Sequence, residues 1–396
     1  MRMTGKRGIV IGAGIGGIAS GIALALKGLE VAIFESRNEV VEADHLLWIA
    51  PNGLGAMEQL GILDAVMQVA TPQEIMGFTT SQQRPLMSLL GGDLAASLNH
   101  PIVAVRRRDL MQILFKRLYS LGGKIAFGHK LTHVSDDPRS VTVTFANGLR
   151  STADFIIGAD GMGSRVRGFV AGSARVRYQG LRTWLGYSDL PCAANYVGKT
   201  LELWGVGTRF VLTSLDGKRL YWSALERHPS YESSRDHDPD SVIKRLRELF
   251  ADYHSDVVAA LASAQVESFR LSNFSVVEEL KASYRGRLLL IGDASHGMPP
   301  NMGQGASLAL EDAIWAAALC SSYDDVAEAW AQFDRVRKSR VLEMMKLANF
   351  MNTAFQPKSS AASGLRNMVA AMIPDALTAR RMIQLYASAL PRPIYD

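Results

Sequence analysis

Short apolar runs with abrupt ends recur along the chain and indicate buried strands. They span residues 7–11, 31–34, 155–157 and 288–291. Short runs made mainly of Ile, Val, Leu and Phe are typical of parallel strands that are covered on both faces. The first and the last run are each followed by a helical pattern. The pattern therefore predicts the strand–turn–helix units of an α/β fold.

Helical and strand patterns alternate through the rest of the chain. Residues 141–145 alternate between apolar and polar side chains and precede Asn147-Gly148, which predicts a hairpin. The stretch 176–274 has mostly strand character, clearest at 201–204, 210–214 and 220–225. Helices are predicted over 50–60, from 106–108 to about 121, over 240–250, as an amphipathic pair within 324–355, and after a Ser/Ala-rich break at 358–364.

The turn after the first strand carries the GxGxxG pattern of dinucleotide-binding proteins. Gly12 permits a tight turn, Gly14 lets the backbone approach a pyrophosphate beside Ile15, and Gly17 lets the helix pack against the strand. Glu35 follows the second strand, where a carboxylate accepts a hydrogen bond from a ribose hydroxyl and disfavours a 2′-phosphate. The pattern lies between two predicted strands, which favours adenosine binding, as in FAD or NAD, over glycines that serve packing alone.

A second turn follows the strand at 288–291. Asp293 ends that strand at the edge where open α/β sheets bind ligands. After a loop rich in Pro and Gly, the residues Gly303, Gln304 and Gly305 are expected to present backbone N–H groups at a helix N-terminus, which suits an anionic or electron-rich group. The alternative is an ordinary strand-to-helix connection in which Asp293 is the N-cap.

Composition narrows the function classes. The chain of 396 residues is 48% hydrophobic and 20% charged, as in soluble globular proteins. A net charge of +5 with dispersed basic residues argues against nucleic-acid binding but suits an anionic cofactor. Cys192 and Cys320 have no disulfide or metal-ligand spacing, so we assign no metal site and expect a reducing, cytoplasmic compartment. The glycine-interrupted N-terminus predicts neither a signal peptide nor an integral membrane segment.

Three motifs together resemble the single-component FAD-dependent aromatic hydroxylases, the family of p-hydroxybenzoate, salicylate and FAD-dependent urate hydroxylases. They are Gly12 to Gly17 with Glu35, the pair Asp160-Gly161, and Gly292-Asp293 with the loop 300–305. The resemblance extends over about residues 7–350. It implies an α/β fold with a Rossmann-like FAD-binding domain, interleaved with a mostly β-sheet substrate domain and followed by C-terminal helices.

The resemblance also implies domain boundaries. The FAD-binding domain is expected to comprise residues 1–75, 101–175 and 284–355. The substrate domain is expected to comprise 76–100 and 176–283, and a C-terminal helical segment 356–396. We expect a monomer or a homodimer.

Cofactor contacts are implied for several residues. Glu35 is expected on the adenosine ribose and Arg107 on the flavin side. Asp160 belongs to the motif that family members use for both FAD and NAD(P)H. Asp293 is expected to bind the ribityl chain, and residues 303–305 to face the isoalloxazine ring.

The implied activity is hydroxylation of an aromatic or heteroaromatic small molecule. NAD(P)H reduces the flavin, O2 then forms a C4a-hydroperoxide, and its distal oxygen attacks the ring. No second GxGxxG is found, as expected where NAD(P)H binds without its own domain. The alternatives are an FAD-dependent reductase or dehydrogenase, an epoxidase of an apolar substrate, or a redox-inactive flavin-binding protein.

Substrate contacts are the least specific part of the resemblance. Arg209 and Tyr221 are spaced like substrate-binding positions of the urate hydroxylases, where Arg can hold an anionic ring, but both can equally be ordinary sheet residues. Pro300 is assigned to the catalytic set with its loop. The chain departs from the family at 42–50, where bulky residues replace the usual glycines. In that segment we expect His45 to be a neutral, hydrogen-bonded histidine rather than a covalent flavin tether.

Overall fold

Strands and helices alternate throughout the residues that the computed structural model describes, which are 5–40, 44–172, 174–232, 237–387 and 390–391. The strands are β1 (Arg7–Ile11), β2 (Glu30–Phe34), β3 (Leu46–Ile49), β4 (Thr71–Pro72), β5 (Ile75–Thr80), β6 (Pro85–Leu90), β7 (Val103–Arg106), β8 (Ile125–Ala126), β9 (Leu131–Asp136), β10 (Val141–Phe145), β11 (Arg150–Ala153), β12 (Phe155–Gly158), β13 (Val176–Asp189), β14 (Lys199–Trp204), β15 (Thr208–Ser214), β16 (Arg219–Arg227), β17 (Arg270–Val277), β18 (Tyr284–Arg285) and β19 (Leu288–Leu290). The helices are α1 (Ile15–Leu26), α2 (Pro51–Gln59), α3 (Leu63–Met67), α4 (Gly91–Leu98), α5 (Arg107–Ser120), α6 (Val166–Ala171), α7 (Pro239–Leu249), α8 (Ser255–Ala262), α9 (Asp293–His296), α10 (Gln304–Ser322), α11 (Val326–Ala354), α12 (Ser360–Met372) and α13 (Asp375–Tyr386).

The four apolar runs predicted to be buried strands lie side by side in one six-stranded sheet. Its order is β18-β19-β12-β1-β2-β8, and all neighbours are parallel except β18 and β19. Val10 packs towards the helices α1 and α10 on one face, whereas Ile9 and Ile11 pack towards the small sheet β9–β11 on the other. Covering on both faces explains why these strands are continuously apolar.

A seven-stranded sheet forms the second layer of the molecule, in the order β17-β13-β16-β15-β14-β5-β6. Phe210 and Trp222 on one face pack against Leu246 and Phe250 of the helical pair α7 and α8. The opposite face is directed at the short sheet formed by β3, β7 and β4. The predicted α/β fold class, with a second part built mostly of β-sheet and with C-terminal helices, is confirmed; the second sheet is antiparallel except where β14 pairs in parallel with β5.

Two helix predictions near the C-terminus were wrong. The predicted amphipathic pair is one helix, α11, of 29 residues, because the segment contains no Gly or Pro and its buried residues keep a helical period throughout. The Ser/Ala-rich break is shorter than predicted because Ser359 caps α12, its side chain accepting from the N–H of Ala362. Pro374 then separates α12 from α13.

A buried ionic cluster joins the loop after β19 to α10 and α11. Asp312 lies at its centre and accepts from the Gly292 N–H at 3.0 Å, from Arg337 Nε at 2.8 Å and from His296 Nε2 at 2.6 Å. The neighbouring Glu311 accepts from Arg337 Nη1 at 2.6 Å and from Arg340. Both acids and Arg337 are almost completely buried. Burial opposes the charge on Asp312, but His296 and Arg337 lower the pKa of its carboxyl group to about 2.

We expect Asp312→Asn to lower the free energy of unfolding by about 3–5 kcal/mol, because it leaves Arg337 as a buried cation with one acid fewer. The wild type should lose stability as the pH falls from about 4 towards 2, since its folded-state pKa lies below the ordinary value of Asp. The variant should lack that part of the acid sensitivity. Urea unfolding followed by circular dichroism at several pH values measures both effects.

The control is Glu343→Gln, which breaks the half-exposed ion pair with Arg381 and should cost less than about 1 kcal/mol. Equal losses in the two variants would show that the cluster contributes no more than a surface pair.

Candidate active site

The carboxyl ends of the parallel strands bring the predicted cofactor motifs to one edge of the sheet. Gly12 follows β1, Asp160 follows β12, and Asp293 follows β19, while Glu35 follows the adjacent β2. This edge is where open α/β sheets bind ligands, at the N-termini of the following helices.

The glycine turn has the conformation and the open space that a pyrophosphate requires. Gly12 has a φ of +103°, and a Cβ there would lie 2.5 Å from the Ala159 carbonyl oxygen. A Cβ on Gly17 would lie 1.9 Å from the Gly12 carbonyl oxygen, so the helix passes directly over the turn. Ile15 begins α1 and is buried. A Cβ on Gly14 would meet nothing within 4 Å, which leaves the helix N-terminus open to a ligand.

Glu35 is held rigidly at the end of β2. Its carboxylate accepts from the N–H groups of Ala13 and Arg37, each at 2.9 Å. Partial burial would raise the pKa of this carboxyl group, but these hydrogen bonds lower it. The ionised side chain is thus positioned beside the glycine turn, as expected for a ribose acceptor.

The Asp160 carboxylate is hydrogen-bonded to the loop that follows it. Its carboxylate accepts from the Ser164 hydroxyl at 2.5 Å and from the N–H groups of Arg165 and Val166 at the start of α6. Burial nevertheless raises the pKa of this carboxyl group. Asp160 therefore shapes the loop at the sheet edge and does not present a free carboxylate.

The side chains of Asp293 and Arg107, unlike that of Asp160, make no hydrogen bonds with the other described residues. Asp293 is exposed, and desolvation by the surrounding protein raises the pKa of its carboxyl group, an effect that His296 and Arg107 partly offset. The Arg107 guanidinium has no hydrogen-bond partner among the described residues, and its electrostatic attraction is to Asp293. A Cβ on Gly305 would lie 3.9 Å from Asp293 Oδ1, so this carboxylate also lies beside the N-terminus of α10.

The loop before α10 needs one correction to its predicted role, at Gly303. The Gly303 N–H donates to the Pro300 carbonyl at 3.0 Å and is not free for a ligand. The Gln304 side chain is buried and exchanges two hydrogen bonds with Asn52, at 3.0 and 3.1 Å. The alternative in which Asp293 is only an N-cap does not hold, because Asp293 is the first residue of the short helix α9 and Gly292 is its N-cap.

A cleft that is open to solvent separates β3 from the face of the seven-stranded sheet. Its walls are largely apolar and aromatic, with a few polar groups. The residues that line it include His45, Trp48, Leu185, Val211, Tyr221 and Ser223. Trp48 closes one side, where its Nε1 donates to the Thr200 hydroxyl at 2.9 Å.

Tyr221 lines this cleft as predicted for a substrate contact, and it is buried with a fixed partner. Its hydroxyl accepts from Arg106 Nε at 2.9 Å, and Arg106 also faces Asp216 at 3.7 Å. Arg219 lies 3.9 Å above the ring of the adjacent Tyr187. The mouth of the cleft is thus lined by paired cations and aromatic rings.

Arg209 requires a correction. Its side chain is 1% exposed, its Nη1 pairs with Glu202 at 2.8 Å, and its Nη2 donates to Asn301 Oδ1 at 2.8 Å. It does not line the cleft. Its charge is offset by Glu202, so it is not a free cation for an anionic ring. Pro300, which is exposed, adjoins this network through Asn301.

His45 lines the same cleft. Burial, together with Arg107 and Arg270, lowers the pKa of His45 to about 4, so the imidazole is neutral near pH 7. Its Nδ1 is buried and has no hydrogen-bond partner among the described residues, which corrects the expected hydrogen-bonded histidine. Residues 42 and 43 of the same segment lie outside the described residues.

Several groups that build the site escaped the sequence analysis. Glu202 and Asn301 pair with and hold Arg209, and Arg106 holds Tyr221. Strand pairing and loop packing create these contacts, and no spacing in the sequence signals them. The Arg106–Arg108 run was the available hint, since its first member ends β7 and its second begins α5.

Together these features are those of a flavoprotein monooxygenase. The open glycine turn, the Glu35 carboxylate beside it and the groups Asp293 and Arg107 suit FAD along the sheet edge, near the cleft that His45 lines. The chain belongs to the FAD binding domain family, whose model matches residues 7–332. The predicted resemblance and the FAD prediction are confirmed.

Relatives and solved structures agree with this assignment. The chain is 29% identical to the aurachin C monooxygenase/isomerase of Stigmatella aurantiaca over 85% of this chain and 86% of that protein. It is 27% identical to the FAD-dependent urate hydroxylase of Klebsiella pneumoniae over 86% and 88%. It is 28% identical to the 2-heptyl-3-hydroxy-4(1H)-quinolone synthase of Pseudomonas aeruginosa over 95% and 96%. The fold matches that of Klebsiella pneumoniae HpxO complexed with FAD and uric acid, with a TM-score of 0.89, 24% identity and coverage of 97% and 98%.

We expect Gly14→Ala to weaken FAD binding roughly ten- to a hundredfold, because the added methyl group occupies the space reserved for the pyrophosphate. The stability of the cofactor-free protein should not change, since that Cβ meets no protein atom within 4 Å. Flavin fluorescence titration and thermal unfolding measure the two quantities.

Gly168→Ala on α6 is the matched control, because its Cβ also meets nothing within 4 Å and it lies away from the glycine turn. Wild-type FAD affinity in Gly14→Ala would place the pyrophosphate elsewhere.

Proposed function

We propose that the protein uses NAD(P)H and O2 to hydroxylate a neutral heteroaromatic small molecule. The observation that carries the proposal is the cleft lined by His45 and Tyr221 beside the sheet edge that holds Asp293 and Arg107. The names of two relatives refer to a quinolone and to urate, both nitrogen heterocycles, which supports this substrate class.

Bound FAD would supply hydride acceptance from NAD(P)H and activation of O2, while the protein supplies position and surroundings. Asp293 and the N-terminus of α10 would hold the polar chain and the ring edge of the cofactor. Arg107 would stabilise negative charge on the reduced ring. Trp48, Leu185 and Val211 would exclude water from the reacting atoms.

The charges around the cleft favour a neutral substrate. Arg209, the residue that would bind an anionic ring, is neutralised by Glu202 and does not reach the cleft. Arg106 is directed at Tyr221 and Asp216. An anion entering the cleft would therefore lose hydration without gaining an ion pair with Arg209 or Arg106.

His45 is the group that we assign to substrate orientation. A neutral imidazole that lines the cleft, with a buried nitrogen lacking a partner, can accept a hydrogen bond from an N–H or O–H of the substrate. Tyr221, fixed by Arg106, would contact the opposite end of the ring. Two such contacts would orient the ring carbon to be hydroxylated.

The assay that tests the function is NAD(P)H oxidation by the FAD-loaded protein across quinolones, purines and phenols. We expect a neutral nitrogen heterocycle to stimulate oxidation and to yield a product containing one oxygen atom from isotopically labelled O2, detected by mass spectrometry. A different outcome would indicate a reductase. In that outcome, an added electron acceptor stimulates NAD(P)H oxidation under O2, but no labelled product forms.

We expect His45→Phe to raise KM roughly tenfold, the scale of one lost hydrogen bond at a desolvated site, with unchanged FAD content. His45→Gln, which keeps an acceptor, should retain most of the affinity. In the wild type, KM should stay constant down to about pH 4 and rise only below it, because protonation of His45 removes the acceptor. A rise in KM centred near the ordinary histidine pKa of about 6.5, or an unchanged KM in His45→Phe, would exclude this role.

A further inference from the structure

Helix α12 directs an apolar stripe away from the protein. Leu365, Met368, Val369 and Met372 are 58%, 55%, 50% and 74% exposed. Their spacing of three and four residues places them on one face of the helix, a pattern that in a globular protein normally faces the core. Exposed apolar clusters of this kind mark contact sites for another surface.

The inward face of α12 is held by polar contacts, so its orientation is fixed. Arg366 donates to the carbonyl oxygens of Gly205 and Phe355, at 3.2 and 2.7 Å, and its guanidinium lies 5.0 Å from the centre of the Trp204 ring. Ser363 and Ala370 are buried on the same side. The helix cannot turn its stripe inwards without breaking these contacts.

The exposed surface continues past Pro374 into α13. Ile373 is 37% and Leu377 58% exposed, and both helices pack against the edge strand β6. The stripe of α12 and these two residues define an apolar hairpin surface on one side of the molecule. Among the described residues no helix is long and apolar enough to cross a membrane.

The segment that carries the apolar hairpin surface has more basic than acidic residues. Residues 344–387 contain one acid, Asp375, and five basic residues, Lys346, Lys358, Arg366, Arg380 and Arg381. The Asp375 carboxylate accepts hydrogen bonds from the N–H and the hydroxyl of Ser88, at 2.9 and 2.7 Å. Lys346, Lys358 and Arg380 are exposed, and so is Arg381, which pairs with Glu343 at 2.8 Å. An apolar surface bordered by basic side chains is complementary to an anionic lipid bilayer.

We propose that the apolar hairpin surface docks on anionic phospholipid bilayers. The apolar side chains would enter the boundary between headgroups and acyl chains, and the exposed basic residues would contact lipid phosphates. A second copy of this chain is the less favourable occupant, because a two-fold interface would bring the two basic segments together. The edge of the substrate-binding sheet would then lie at the bilayer, where apolar substrates accumulate.

The test is co-sedimentation of the FAD-loaded protein with vesicles of phosphatidylcholine alone or mixed with phosphatidylglycerol at roughly three to one. We expect at least about tenfold stronger binding to the anionic vesicles, weakened by added salt. Leu365→Gln with Met368→Gln and Met372→Gln should abolish binding, since three exposed apolar contacts are lost. Lys358→Gln with Arg380→Gln should remove the preference for the anionic lipid.

Tyr231→Gln, which removes an apolar side chain 66% exposed on another part of the surface, is the matched control and should bind like the wild type. Turnover of a water-soluble substrate should be equal in all variants, because none of these residues lines the cleft. Sedimentation velocity without lipid completes the test. Absence of vesicle binding would overturn the proposal, and a wild-type dimer that the triple variant dissociates would assign the surface to a second copy instead.

Discussion

The buried charges of α10 and α11 are the interaction on which the candidate site depends. Asp312 and Glu311 hold Arg337 on one side, and Asp312 holds Gly292 and His296 on the other. Desolvating these groups is costly, and only a complete set of partners offsets the cost. The loop that carries Asp293 is therefore positioned by charges that lie behind it. Its geometry is set before any ligand arrives, which reduces the ordering that binding requires.

The nucleotide-binding half of the molecule was largely predictable because its constraints are local. A tight turn demands glycine at position 12, and a buried strand demands a continuous apolar run. Residues 7–11 and 288–291 meet these demands in the sequence itself. The short helix α9 was less predictable, because hydrogen bonds within the loop decide where so short a helix begins and ends.

The cleft was less predictable because its chemistry depends on residues that are distant in sequence. Arg209 had the expected spacing from Tyr221. The pairing of β14 with β15, however, places Trp204 opposite Arg209 and brings Glu202 within 2.8 Å of its guanidinium. The ion-pair partner of a side chain in a sheet is thus set by strand register, which the local sequence does not record. His45 likewise owes its neutral state to burial and to two arginines, Arg107 and Arg270.

The two walls of the cleft differ in how freely they can change during evolution. Trp48 belongs to a short strand that pairs with β7 and is hydrogen-bonded to Thr200, so a substitution there disturbs both sheets at once. Leu185, Val211 and Ser223 project from one face of a broad sheet whose other face has its own core. Their backbone pairing is indifferent to side-chain identity. New substrate preferences can therefore arise on the broad wall by single replacements, whereas a replacement of Trp48 on the short strand would also disturb the packing between the two sheets.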